Sequence, residues 1–171
     1  MSDSIDVCVS FDTTGSMYPC LTQVRRYIGE MVGQLFKDIP DLRIAIIAHG
    51  DYCDEGNPYT VQMLDFSKDE EKIKNFVTQV APTYGGDAPE CYELVLREAR
   101  TSLSWESGRG KALIIIGDDV PHGPNEKQNK QKINWRNELG LLLEAGIHVY
   151  GVHAMPGIRK HSRAFYEEIA Y

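Results

Sequence analysis

Asp12, Thr14 and Ser16 alternate in the run Phe11 to Met17 (FDTTGSM), so in an extended turn a carboxylate and two hydroxyls point the same way. Gly15 relaxes the backbone between them. Two further oxygen-rich turns occur far along the chain: Thr83 to Asp87 (TYGGD) and Asp118-Asp119. Oxygen donors in a roughly octahedral set, with few direct carboxylates and some water retained, suit Mg²⁺ or Mn²⁺ better than zinc, with Ca²⁺ as a third candidate. Each turn alone would also serve as a helix N-cap, a job for which Asp12 or Ser16 is suited. Three such turns at one edge of a sheet are harder to explain as caps.

The flanking elements decide whether the turns meet. Ile5 to Phe11 (IDVCVSF) reads as a buried strand ending at Asp12, and Leu21, Val24, Ile28, Met31 and Leu35 mark one face of a helix. Leu42 to Ala48 (LRIAIIA) is a second central strand, and Thr60 to Phe66 (TVQMLDF) an edge strand, antiparallel given its connection. Ser67 is the expected N-cap of the acidic-first helix KDEEKIKNFV. Glu90 to Leu103 reads as a helix with Pro89 at its first position, and Lys111 to Gly117 (KALIIIG) as the clearest buried strand. A helix over 128–145 capped by Gly146, strand Ile147 to His153 and a last helix from Ser162 complete the alternation. The expected fold is α/β: a Rossmann-like, doubly wound, mostly parallel sheet with one antiparallel edge strand and helices on both faces. Ligands of such sheets bind outside the carboxyl ends of the strands, where all three turns fall.

The 171 residues carry 25 Asp and Glu against 18 Lys and Arg, a net charge of −7. One domain over 1–171 is expected from that length. The acid surplus argues against a nucleic-acid partner, and no apolar run approaches membrane-spanning length. The N-terminus MSDSIDVCVSFD has no signal pattern, so the protein is expected in the cytoplasm with Cys8, Cys20, Cys53 and Cys91 reduced and Cys8 buried.

With these motifs in order, the chain resembles the von Willebrand factor type A (vWA) domain family, in its intracellular and prokaryotic branch. That family's metal-ion-dependent adhesion site begins Asp-x-Ser-x-Ser, and FDTTGSM fits with Thr14 in place of the first Ser. IIIGDD at 114–119 resembles the strand that ends in the site's distal acid, which implies Asp118. Family members often carry a Thr after the glycines of the second loop, where this chain has GGDAPE with Ala88 near the expected place. The middle ligand then falls to Asp87, the stronger donor for a hard cation, or to the hydroxyl of Thr83. The resemblance also implies a further strand and closing helix beyond AFYEEIAY, so 1–171 is expected to hold most of one domain, trimmed at its C-terminus or closed by a partner.

The implied function is a binding module and no enzyme: a Mg²⁺ held by Asp12, Thr14, Ser16, Asp118 and Asp87 or Thr83 accepts an Asp or Glu carboxylate from a partner protein. Asp51, Asp54, Glu90 and Asp119 would tune its charge. Intracellular relatives accompany ATPases or kinases, which implies a regulatory or assembly role. Two alternatives stand beside it. One is a metal-dependent hydrolase or phosphotransferase with Asp12 as nucleophile, against which Thr14 stands where a general-acid Asp is needed and a Gly-Lys-Ser/Thr cradle is missing. The other is a metal-free scaffold. His49 and His122, with Asp51 or Asp118, could form a transition-metal site but lack helical ligand spacing; packed or solvated histidines are the simpler reading. Cys53 and Cys91 read as reduced, and Arg159 to Arg163 (RKHSR) as a solvated helix start or a basic patch on which an acidic partner could dock.

Overall fold

The first apolar run forms β1 (Ser4–Asp12), flanked on both sides by parallel neighbours, β2 (Asp41–His49) and β4 (Gly110–Gly117). A strand buried on both faces needs apolar residues at nearly every position, which is why these runs do not alternate. β3 (Val61–Ser67) lies antiparallel to β2, and β5 (Ile147–His153) lies parallel to β4, giving the order β3-β2-β1-β4-β5. The mostly parallel sheet with one antiparallel edge strand is the expected one. Residues 4–86 and 88–170 are described by the structure, a computed structural model, and Asp87 lies outside them.

Alternate strand residues feed two cores. Val7, Val9, Phe11, Ile44, Ile46 and Ala48 pack beneath α1 (Tyr18–Asp38) and α2 (Glu70–Gln79). Cys8, Ala45, Ile47, Leu113, Ile115 and Val149 pack beneath α3 (Tyr92–Thr101), α4 (Trp135–Glu144) and α5 (Arg163–Ile169). Leu21 and Ile28, on the predicted face of α1, are 7% and 1% exposed; burying each stabilises by about 1.5–3 kcal/mol. Among the described residues no helix is long and apolar enough to cross a membrane.

Several local expectations are corrected. Asp69, not Ser67, caps α2, its side chain accepting from the Lys72 amide. Glu90 does not open a helix behind Pro89: it bridges to Pro121, and α3 starts two residues later. The helix expected over 128–145 begins only at Trp135. Upstream, the Asn129 side chain accepts from the Ile133 amide (2.9 Å) and donates to its carbonyl (2.8 Å), a local bond that competes with helix. Gly146, at φ 75°, ends α4 as expected.

Candidate metal centre

β1 and β4 are the neighbours at which the strand order reverses, so their carboxyl ends open a crevice at the topological switch point. Asp12 ends β1 and Asp118 follows the last residue of β4. The turn between β1 and α1 folds back on itself: the Thr14 amide and hydroxyl both donate to Asp12 Oδ1, at 2.7 and 2.6 Å. Thr14 Oγ1 lies 3.3 Å from Ser16 Oγ, which donates to Asp118 Oδ1 at 3.0 Å. Asp12, Thr14, Ser16 and Asp118 therefore form one continuous chain of oxygens, whose last link joins residues 102 apart in sequence. Neither Asp12 nor Ser16 caps α1, whose N-cap is Met17 without a side-chain bond.

Asp12 and Asp118 are fully buried, while Ser16 is partly exposed. The hydroxyl of Tyr92 donates to Asp12 Oδ2 at 2.6 Å and accepts the Asp118 amide at 3.2 Å, locking the two strand ends together. Burial, reinforced by the nearby charge of Asp12, pushes the Asp118 carboxyl up to about 6. Its Oδ2 is buried without a hydrogen-bond partner. Arg159 Nε lies 3.0 Å away, close enough for charge but not aligned to donate.

The second loop is fastened behind this chain. Gly15 donates to the Tyr84 carbonyl at 2.8 Å and Thr83 to the Thr13 carbonyl at 2.9 Å. Asp54 is spent holding backbone: its carboxylate accepts from the amides of Asp51 (2.9 Å), Tyr84 and Gly85 (both 3.0 Å). The Thr83 hydroxyl sits 3.0 Å from that of Thr13, outside the Asp12–Asp118 chain.

Sequence reasoning missed two features. Arg159 and His161, read as a solvated helix start, instead face acids: His161 Nε2 is 3.1 Å from Asp119 Oδ1. The second is His122, 1% exposed and bonded to Asp51 Oδ1 at 2.7 Å and Glu126 Oε2 at 2.8 Å. Both contacts use its ring nitrogens, so His122 is a buried ion-pair centre rather than a transition-metal ligand. His49 packs edge-on against Tyr92. All four cysteines are free, with Cys8 fully buried.

Burial opposes charge on His122, but the bonds to Asp51 and Glu126 outweigh it and raise the imidazolium to about 9. A raised folded value means this pair stabilises fully below the ordinary histidine value and loses that contribution as pH rises through about 9. Unfolding free energy is expected to fall by about 3 kcal/mol from this pair between pH 6 and 10. Urea melts of wild type and His122→Gln across that range check it; parallel curves would refute the assignment.

Among the described residues no three His, Cys, Asp or Glu side chains converge to hold an ion by themselves. The donors here are carboxylates interleaved with hydroxyls. That set fits a hard divalent cation: every donor is oxygen, the hydroxyls lie between the acids, and Asp118 carries an unsatisfied buried oxygen.

The fold defines the class: the chain has a vWA-like fold. It is similar in structure to BatB from Bacteroides thetaiotaomicron, at TM-score 0.66 and 20% identity over 90% of this chain and 69% of that one. An aerotolerance-related membrane protein from Bacteroides fragilis NCTC 9343 matches at TM-score 0.63 and 18% identity, over 88% and 67% of the two chains. The pilus adhesin SpaC from Lactobacillus rhamnosus GG matches at TM-score 0.66 and 14% identity over 86% of this chain, which spans only 23% of the adhesin. No family model and no curated protein matches the sequence.

Proposed function

We propose that this chain is a divalent-cation-dependent protein-binding module. The carrying observation is the unbroken Asp12–Thr14–Ser16–Asp118 oxygen chain at the switch point, with Asp118 Oδ2 left without a hydrogen bond. Asp12, Thr14, Ser16 and Asp118 would hold Mg²⁺ or Mn²⁺, and the bound ion would supply Lewis-acid attraction for a carboxylate without bond breaking. The chain's own residues do the positioning. Tyr92 and the Thr14 amide fix both oxygens of Asp12, so its orientation is set before any ion arrives. Ser16 ties the first turn to Asp118 and brings the site toward solvent. Arg159 partly neutralises Asp118 and competes with the cation for it.

The partner is a protein offering an Asp or Glu side chain, and the role is regulation or assembly. Thermal unfolding in millimolar Mg²⁺ or Mn²⁺ tests the metal step. Wild type is expected to gain about 2–3 kcal/mol when the ion stands at a hundred times its dissociation constant. Asp12→Ala and Asp118→Asn, each shown to be folded by circular dichroism, are expected to gain none. Equal gains in all three proteins would sink the proposal.

A further inference from the structure

We infer that the segment between β5 and α5 is a strap that Arg159 holds against the candidate site, and that cation binding releases it; the inference rests on the metal-site reading above. Both ends of the strap are pinned to the end of β4. The Ala154 amide donates to the Gly117 carbonyl at 2.7 Å, and the buried Ser162 hydroxyl donates to the Asp118 carbonyl at 2.6 Å. Between the pins the chain passes through Met155 at φ 51°, a left-handed conformation that non-glycine residues rarely adopt. The amides of Ile158 and Arg159 both donate to the Met155 carbonyl at 3.0 Å and close a turn. That turn leaves Ile158 79% exposed and sends Arg159, the next residue, back onto the acids that follow β4.

Charge holds the middle of the strap down. Arg159 Nε lies 3.0 Å from Asp118 Oδ2 and its Nη1 4.0 Å from Asp119 Oδ2, while His161 Nε2 is 3.1 Å from Asp119 Oδ1. The arginine contact is close but unaligned, since Asp118 Oδ2 has no hydrogen-bond partner. Such a pair forgoes the gain of a bidentate guanidinium–carboxylate bond and is open to exchange. A divalent ion brings twice the charge to the same carboxylate and repels the guanidinium beside it. Asp118 is fully buried and tied to Ser16 through its other oxygen, whereas the arginine side chain is 30% exposed. The acid therefore stays and the arginine leaves. Ion and strap exclude each other: without the ion Arg159 neutralises Asp118, and with it the turn carrying Ile158 and Arg159 is let go from the site.

Trypsin reads the strap directly, because Arg159 and Lys160 are cleavage sites within it. In wild type, cleavage at these residues, mapped by mass spectrometry, is expected to quicken about tenfold when Mn²⁺ saturates the site. Arg159→Gln is expected to be cut at Lys160 at the faster rate with or without the ion. With Mn²⁺ counted by the electron paramagnetic resonance signal of the free ion, this variant is also expected to bind about tenfold more tightly than wild type. Arg159→Lys, which keeps the charge, is expected to stay near wild type in both measurements. If wild type binds Mn²⁺ with cleavage unchanged, and Arg159→Gln binds no more tightly, the strap is no latch and the module reading survives. If wild type takes up no Mn²⁺, the metal-site reading falls and the release falls with it.

Discussion

Asp6→Ala is expected to lose about 3–5 kcal/mol of folding stability, because it strips the shared partner from two buried guanidinium groups. Asp6 is fully buried at the amino end of the sheet, away from the candidate site. Its Oδ1 accepts from Arg43 Nε at 2.9 Å and Arg109 Nε at 2.6 Å, and its Oδ2 from Arg43 Nη2 at 2.7 Å and the Glu106 amide at 3.1 Å. The arginine side chains are only 12% and 8% exposed. Burial works against the carboxylate, yet the bonds to Arg43, the Glu106 amide and Arg109 outweigh it and hold Asp6 below the usual carboxylate range. Urea denaturation at pH 7 reads the loss directly, and a change under 1 kcal/mol would show that Asp41 and Glu106 suffice for both arginines. Cation binding by the folded fraction is expected to be unchanged, since this network lies at the opposite sheet edge.

Gly117→Ala is expected to damage stability and site together. A Cβ there would fall 2.0 Å from the Tyr92 hydroxyl and 2.7 Å from that of Tyr166. Neither ring has space to retreat: Tyr92 is fully buried against His49, Phe165 and Tyr166. Overpacking of this kind costs about 1–3 kcal/mol and is relieved only by moving the ring. The same hydroxyl holds Asp12 Oδ2 and the Asp118 amide, so displacement of the ring releases both strand ends. Urea melts and Mn²⁺ titration are expected to worsen in parallel; a variant that melts and binds like wild type would refute the coupling.

The central strands were legible because a doubly buried parallel strand has few compositions open to it. IDVCVSF, LRIAIIA and KALIIIG occur within a residue or two of β1, β2 and β4. The α1 face was legible by its period, and the edge position of β3 by its polar alternation. The start of α4 was not, because Asn129 spends its side chain on local backbone where periodicity alone allows helix. The Ser67 cap failed on a choice between two good capping residues that only the path of the chain decides.

Of the candidate site, the spacing of Asp12, Thr14 and Ser16 already encoded one turn with its oxygens on one side, because alternation and a glycine act over a few bonds. Asp118 was legible as a strand end. The Ser16–Asp118 bond, the Tyr92 clamp, the contacts of Arg159 and His161 with Asp118 and Asp119, and the burial of Glu90 were not. Each joins segments tens of residues apart, and its energy depends on distance and on exclusion of water, neither of which exists until the sheet has closed. Local propensity and hydrophobic period determined the elements and their order; tertiary packing decided which polar groups share a partner and which buried oxygens, Asp118 Oδ2 among them, were left without one.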